Sequence, residues 1–482
     1  MNEAIADIGL VGLAVMGQNL VMNMADHGYT VAVYNRTTAR TTEFKDGPAA
    51  EMSVIATADL HGLVAQLKRP RRVMLMVQAG APVDAVIREL VPLLEPGDII
   101  IDGGNSHYAD SDRRVEELQE HGIHFIGAGI SGGEEGARHG PSIMPGGSAG
   151  AWPDVRPIFE AIAAKVDGVP CCSWLGSGGS GHFVKMVHNG IEYADMQLIA
   201  ESYDLMRRVL ELDHDAMSSV FSTWNSGRLE SYLIEITRDI MAYRDDDGEP
   251  IVERILDSAG QKGTGKWTVV NALELGTPLS LIGEAVFARF LSALKEERVQ
   301  ASRLLPGAPE QNEADRDEYL VSLEQALYGA KVTTYAQGFM LMQQASAEFR
   351  WDLNLGAIAL LWRGGCIIRS AFLNDIAAAY VRDPGLANLL IDSYFRAEIT
   401  GAQAGWRKVV ADAMLRGVPV PAMASGLTFF DGYRTENLPA NLIQAQRDYF
   451  GAHTFERTDR ARGEYFHVNW TGRGGDVSST VY

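Results

Sequence analysis

The chain has 482 residues, 46% of them hydrophobic and 22% charged, a globular composition long enough for roughly two to four domains. Its formal charge of −20 excludes an extended nucleic-acid surface, whose phosphates would be repelled, but leaves room for a local cationic pocket that takes an anionic metabolite. Its three cysteines, Cys171, Cys172 and Cys366, form neither a disulfide framework nor a zinc site, so a reducing, cytoplasmic setting is expected.

The apolar run from Ile8 to Met24 is neither a signal peptide nor a membrane span. Glu3 and Asp7 stand where a positive start belongs, and Gln18, Asn19 and Asn23 interrupt it. It reads instead as a buried strand, Ile5 to Val11, then the turn Gly12-Leu13-Ala14-Val15-Met16-Gly17 opening a helix to about His27. Gly28-Tyr29 turns the chain into a second strand, Thr30 to Tyr34. Strand, glycine turn, helix and strand in that order form a dinucleotide-binding unit. Ala14 replaces the middle glycine and is small enough for a backbone to approach a pyrophosphate. The plain alternative is that Gly12 and Gly17 only permit close helix–strand packing.

The end of the second strand selects the dinucleotide. NAD-binding units carry a carboxylate there for the ribose hydroxyls. This chain has Asn35, Arg36 and Thr37, a guanidinium and a hydroxyl able to receive a 2′-phosphate, which predicts NADP as cofactor. Further strands are expected at 72–77, 98–101 and 124–126. Each ends in a polar glycine-rich turn: Gln78-Ala79-Gly80, Asp102-Gly103-Gly104-Asn105-Ser106 and Ser131-Gly132-Gly133-Glu134. Ligands on such sheets sit beyond the carboxyl ends of the strands, so Asn105 and Ser131 are candidates to hold a substrate.

Gly176-Ser177-Gly178-Gly179-Ser180-Gly181 marks a shift from strand-like to helical patterning. The expected domains are 1–178, Rossmann-like; 179–437, all-helical; and 438–482, a tail. A long helix from about His182 to Leu210 carries the most informative pattern, Lys-Met-Val-His-Asn-Gly-Ile-Glu. At about 100° per residue, Lys185, His188, Asn189 and Glu192 fall within one arc of that helix. An amine, an imidazole, an amide and a carboxyl on one face can flank a small ligand with a base and an acid. A satisfied buried salt-bridge network is the plain alternative.

Polar breaks near 244–250, 306–317 and 382–385 separate further helical stretches, one of which contains Gly364-Gly365. The segment Gly260-Gln261-Lys262-Gly263-Thr264-Gly265-Lys266-Trp267 has the spacing of a nucleotide-triphosphate loop. Trp267, however, stands where a magnesium-binding Ser or Thr belongs, and no clear strand precedes the loop. Its amides with Lys262 and Thr264 can bind a simple phosphate, the plain alternative being a flexible basic turn. No metal-binding or serine-nucleophile motif is present. The tail is polar and glycine-rich but carries Tyr449, Phe450, Phe455, Tyr465, Phe466 and Trp470, which predicts that it docks on something.

These motifs resemble those of the decarboxylating 6-phosphogluconate dehydrogenase family almost end to end. They are Gly-Leu-Ala-Val-Met-Gly, Asn-Arg-Thr, Asp-Gly-Gly-Asn-Ser, Ser-Gly-Gly-Glu-Glu-Gly-Ala-Arg, Gly-His-Phe-Val-Lys-Met-Val-His-Asn-Gly-Ile-Glu-Tyr, Gln-Lys-Gly-Thr-Gly-Lys-Trp-Thr, Gly-Glu-Ala-Val-Phe-Ala-Arg and Gln-Ala-Gln-Arg-Asp-Tyr-Phe-Gly-Ala-His. The resemblance implies that Lys185 is the general base and Glu192 the acid in an NADP-dependent oxidative decarboxylation. It implies that Asn105, Ser131, Gly132, Gly133, His188 and Asn189 hold a sugar acid, and that Tyr193, Lys262, Thr264 and Arg289 hold its phosphate. Residues 12–17, Asn35, Arg36, Thr37, Val77, Gln78, Ala79 and Asn105 are implied to bind the cofactor. It further implies a homodimer in which Arg447 and His453 act across subunits. One departure is Gln78, where many members carry lysine. Two other readings are a dehydrogenase for an unphosphorylated hydroxyacid and a catalytically silent NADP-binding regulator. The phosphate-site residues argue against the first, and intact Lys185 and Glu192 against the second.

Overall fold

The computed structural model describes residues 5–261 and 263–473. Its N-terminal part is a seven-stranded sheet made of β1 (Ile8–Val11), β2 (Val31–Tyr34), β3 (Val54–Ala56), β4 (Arg72–Leu75), β5 (Ile99–Asp102), β6 (His124–Ser131) and β7 (Ser142–Gly147). The spatial order is β3-β2-β1-β4-β5-β6-β7. All pairs are parallel except β6–β7, whose register aligns Ser131 with Ser142. Strands buried on both faces need continuous apolar runs. Ile99 and Ile101 accordingly enter one core layer with Leu10 and Val33, while Ile100 enters the other with Val73 and Leu75.

Two strands of this sheet lie beyond those expected. β3 is only three residues long, and β7 contains Pro145, Gly146 and Gly147, a composition that disfavours strands except at an edge. Both are edge strands of this sheet. β6 also runs to Ser131, five residues past the expected end, through Gly127 and Gly129. A Cβ at Gly129 would overlap the Lys185 side chain, and one at Gly127 would lie 2.8 Å from Nδ1 of His182. These glycines let the long helix Ser180–Arg208 lie directly against β6, which carries its polar face to the carboxyl end of the sheet.

A second long helix, Arg316–Phe349, crosses the helical part and is buried continuously from Ala326 to Phe339. A helix sheltered on every side has no polar face to give it amphipathic periodicity. Gly364-Gly365 does not interrupt a helix. It lies between the helices Leu355–Leu361 and Leu373–Arg382, with Gly365 at φ +61° and its carbonyl accepting from the amide of Ser142.

By contacts the chain forms two units, Met1–Leu427 and Thr428–Tyr482. The sheet and most of the helices share the first. Within the second, the helix Ala440–Gly451 and the small hairpin Phe455–Glu456/Tyr465–Phe466 are organised around Asp448. Its fully buried carboxylate accepts from the Thr454 and Val468 amides, the His467 ring and the Trp470 indole at 2.8–3.1 Å.

Candidate active site

The first half of the site is built by turns at the carboxyl ends of β1 and β4, where the strand order reverses and ligands bind in sheets of this type. Gly12 sits at φ +106°, and a Cβ there would lie 2.5 Å from the Met76 carbonyl. A Cβ at Gly17 would strike the Gly12 carbonyl, so both glycines are sterically required. Ala14 is the exposed residue preceding the helix Val15–Asp26, with Val15 exposed and Met16 half-buried beside it. Leu13 is buried. Its amide donates to Oδ1 of Asn35 at 3.0 Å, and Nδ2 of Asn35 donates to the Thr37 carbonyl at 3.1 Å. Asn35 therefore ties the glycine turn to the end of β2, leaving Arg36 and Thr37 exposed there. Val77, Gln78 and Ala79 form the neighbouring turn after β4, with Gln78 exposed.

The second half is built on the helix Ser180–Arg208. Lys185 and His188 are buried, and Glu192 keeps 23% of its side chain exposed. Nζ of Lys185 and Oε2 of Glu192 lie 3.5 and 3.9 Å from the same atom, Nδ1 of His188. Burial pushes the Lys185 ammonium below its ordinary range, against the opposing pull of Glu192 and Cys366. Burial raises the Glu192 carboxyl, with Lys185 and Arg289 opposing. Both shifts move an amine and a carboxyl toward neutral pH. His188 is held well below its usual value by burial and then by the Lys185 charge, so its imidazole is neutral.

A hydrogen-bonded chain runs through that imidazole. Oδ1 of Asn189 lies 2.9 Å from Nδ1, which assigns the ring proton to Nδ1, and Nδ2 of Asn189 donates to Oγ1 of Thr264 at 3.0 Å. On the other side, Nε2 faces Oγ of Ser131 at 3.0 Å and Sγ of Cys366 at 2.8 Å. Ser131 ends β6. Gly132 follows at φ +109°, where a Cβ would lie 2.7 Å from the Gly365 carbonyl, and Gly133 at φ +63° has open space around its Cα. Asn105 is exposed on the turn after β5.

Thr264 begins the helix Thr264–Glu274, whose N-terminal amides present the positive end of its dipole. Arg289 stacks over Tyr193, its Cζ 3.5 Å from the ring centroid, and donates to the Gly260 carbonyl at 3.2 Å. Gly265 allows this arrangement, since a Cβ there would lie 2.5 Å from Cδ2 of Tyr193. A guanidinium, a hydroxyl and a helix N-terminus suit a phosphate. Lys262 lies outside the described residues. Arg447 and His453 belong to the second unit. There Nη1 of Arg447 donates to Oε1 of Gln444 at 3.0 Å, and both residues line a cavity of about 840 Å³ together with Arg457 and Tyr465.

Cys366 was not among the expected site residues. The only signal for it was the Gly-Gly pair before it, which reads as a weakness in a helix and is in fact the loop that delivers the thiol.

A parallel dinucleotide-type sheet joined to a helix bearing a perturbed amine and a perturbed carboxyl defines a nicotinamide-dependent dehydrogenase with built-in acid–base groups. The comparisons narrow this. Residues 7–176 match the family model described as the NAD binding domain of 6-phosphogluconate dehydrogenase, and residues 181–470 match its C-terminal domain. The chain is 60% identical to 6-phosphogluconate dehydrogenase, decarboxylating, of Candida albicans, covering 100% of this chain and 95% of that one. It is 57% identical to the enzyme of the same name from Haemophilus influenzae over 99% of both chains. A solved structure of Plasmodium falciparum 6-phosphogluconate dehydrogenase, described in its apo form and in complex with NADP+ and with 6-phosphogluconate, superposes with a TM-score of 0.93. That match has 45% identity and covers 96% of this chain and 100% of that one. The chain belongs to the 6-phosphogluconate dehydrogenase family.

Proposed function

We propose that this protein catalyses the NADP-dependent oxidative decarboxylation of 6-phospho-D-gluconate to D-ribulose 5-phosphate, carbon dioxide and NADPH. The observation that carries the reading is the buried Lys185 and the partly exposed Glu192, their proton affinities shifted toward each other, on either side of the neutral His188.

The residues present fit NADP. The backbone at Gly12 is open where a side chain would collide, and Arg36 and Thr37 are exposed at the end of β2 for a 2′-phosphate. Bound NADP supplies the hydride acceptor. Lys185 takes the proton of the C3 hydroxyl as hydride leaves C3, giving a 3-keto acid. The ammonium so formed hydrogen-bonds the keto oxygen, which accepts electron density as the C1–C2 bond breaks and carbon dioxide departs. This polarisation is sufficient for a β-keto acid, without a metal. Glu192 then protonates the substrate's former C2, which is C1 of the enediol, to give the ketose. Asn105, Ser131, Gly132, Gly133, His188 and Asn189 hold the sugar acid. Tyr193, Lys262, Thr264 and Arg289 hold the phosphate.

The reading includes a homodimer in which the tail docks on the partner and contributes Arg447 and His453 to its site. Exposed apolar residues support it, among them Leu442, Tyr449 and Phe450 in the tail and Leu273, Phe287 and Leu291 on helices of the first unit. Mixed dimers of Lys185→Ala and Arg447→Ala chains would regain activity if one site draws on both chains. A cytoplasmic setting is supported by three buried free thiols. No helix among the described residues is long and apolar enough to cross a membrane.

The deciding assay follows NADPH formation with 6-phosphogluconate and NADP in the presence of a chelator. Turnover is expected with the phosphorylated acid and not with gluconate. Equal rates on both would transfer the protein to the unphosphorylated-hydroxyacid reading, and no turnover on either would favour a silent regulator.

A further inference from the structure

Behind the site lies a buried cation that the mechanism above does not use. Arg114, on the helix Tyr108–Gln119, is 1% exposed and reaches three separate elements. Nη1 donates to Oδ2 of Asp102 at 3.0 Å, at the end of β5. Nη2 donates to the carbonyl of Gly80 at 3.2 Å, in the turn after β4. Nε donates to Oδ1 of Asp84 at 2.8 Å, on the helix Ala81–Leu90 that this turn opens.

Each anchor governs one turn of the site. Asp102, itself fully buried, accepts from the Gly104 amide at 3.0 Å and the Ser106 hydroxyl at 2.6 Å, which shapes the backbone on both sides of Asn105. Gly80 closes the Val77–Ala79 turn and sits at φ +85°. The two turns are neighbours: a Cβ at Gly104 would lie 3.3 Å from the Val77 carbonyl. In the functional reading, the first turn faces the cofactor and the second bears Asn105, which is assigned to both the cofactor and the sugar acid. A planar guanidinium holds its acceptors at set distances from one another through a rigid fork, whereas an ammonium, although it has three donors, is a compact point on a flexible stem and imposes no such spacing.

We propose that Arg114 is a positioning residue that sets the separation between the cofactor turn 77–80 and the substrate turn 102–106, and so the alignment of hydride donor and acceptor. The inference rests on the proposed function. Arg114 acts chiefly when both ligands are bound together, because the spacing between the two turns sets how the ligands meet, while the contacts within each turn are kept. Misplacement of reacting groups by about 1 Å costs on the order of a hundredfold in rate.

The test compares the parent with Arg114→Lys, which keeps the buried charge beside Asp102 but loses the fork. The measurements are binding of NADP alone and of 6-phosphogluconate alone, kcat, and the deuterium isotope effect with substrate labelled at C3. The expected result is separate binding within about threefold of the parent, kcat lower by about tenfold or more, and a larger isotope effect as hydride transfer becomes slower. A folded Arg114→Lys with parental kcat and isotope effect overturns the inference. So does a loss of more than about tenfold in binding of either ligand alone, which would mark a local structural role. If Arg114→Lys does not fold, Asp84→Ala frees the guanidinium from one of its three anchors. It is expected to lower kcat by about threefold with the same rise in isotope effect, and unchanged values overturn the inference. A parent that forms no NADPH overturns the functional reading and this inference with it, whereas an active parent with an unaffected variant overturns this inference alone.

Discussion

The sulfur of Cys366 lies 2.8 Å from Nε2 of His188. Because Asn189 draws the ring proton to Nδ1, Nε2 is an acceptor, and burial raises the thiol to about 12, so Cys366 remains an S–H donor at neutral pH. The Ser131 hydroxyl lies 3.0 Å from the same nitrogen and also hydrogen-bonds with the thiol, so Cys366 helps to set its orientation. Cys366→Val removes the donor and is expected to raise KM for the sugar acid about fivefold, the equivalent of one hydrogen bond near 1 kcal/mol. Cys366→Ser, which keeps a donor, stays near the parent. Steady-state kinetics of the two variants side by side provide the check, and equal KM values would remove Cys366 from the site.

Lys185 acts as a base only when neutral, and Glu192 as an acid only when protonated. Activity therefore rises with pH as Lys185 loses its proton and falls as Glu192 loses its own. Burial moves the amine down from 10.5 and the carboxyl up from 4.5, so both limbs of the kcat/KM profile are expected inside that interval. The limbs belong to the pair, since each charge acts on the other. Glu192→Gln leaves one limb, rising with pH, and a rate lower by about a hundredfold. Lys185→Ala still binds 6-phosphogluconate by calorimetry but turns over 10²- to 10⁴-fold more slowly, on the order expected for losing a general base. Normal turnover by that variant would end the base assignment.

Arg36 stands exposed after β2, where an acidic residue would select NAD. Arg36→Ala is expected to weaken NADP binding by about 1.5–3 kcal/mol, the range for hydrogen bonds to a charged group, or roughly 10- to 150-fold. NAD binding should hardly change. Fluorescence titration with NADPH and NADH measures the ratio, and a parallel loss of both would place the 2′-phosphate elsewhere.

One helical turn beyond Glu192, Asp195 meets Lys331 of the helix Arg316–Phe349. Nζ lies 2.6 and 2.7 Å from the two carboxylate oxygens, with 0% and 1% of the side chains exposed. Lys331→Met strands a buried carboxylate and is expected to cost about 3–5 kcal/mol in chemical denaturation, while adding Asp195→Leu recovers most of the loss. A double variant no more stable than the single one would contradict this account.

Local pattern carried much of this. The spacing of Lys185, His188, Asn189 and Glu192 puts them on one helix face whatever the helix packs against, because the helical repeat is a property of the backbone. The same holds for Gly12 and Gly17, whose turn is dictated by strand-to-helix geometry, and for the missing carboxylate at Asn35-Arg36-Thr37. The grouping of the candidate site on one helix face and the identity of the cofactor were therefore readable from short segments. What no short segment contains is the partner across the fold. Cys366 reaches His188 from 178 residues away through a loop that looks like a flawed helix. Pro145 and its glycines form a strand only because β6 offers them an edge. Arg114, Lys331 and Asp448 resemble ordinary surface charges until burial shows each is surrounded by the groups that satisfy it. Sequence determined which groups share a helix face or a turn. Tertiary structure alone decided which were taken out of water, and burial is what shifts Lys185 and Glu192 toward neutrality.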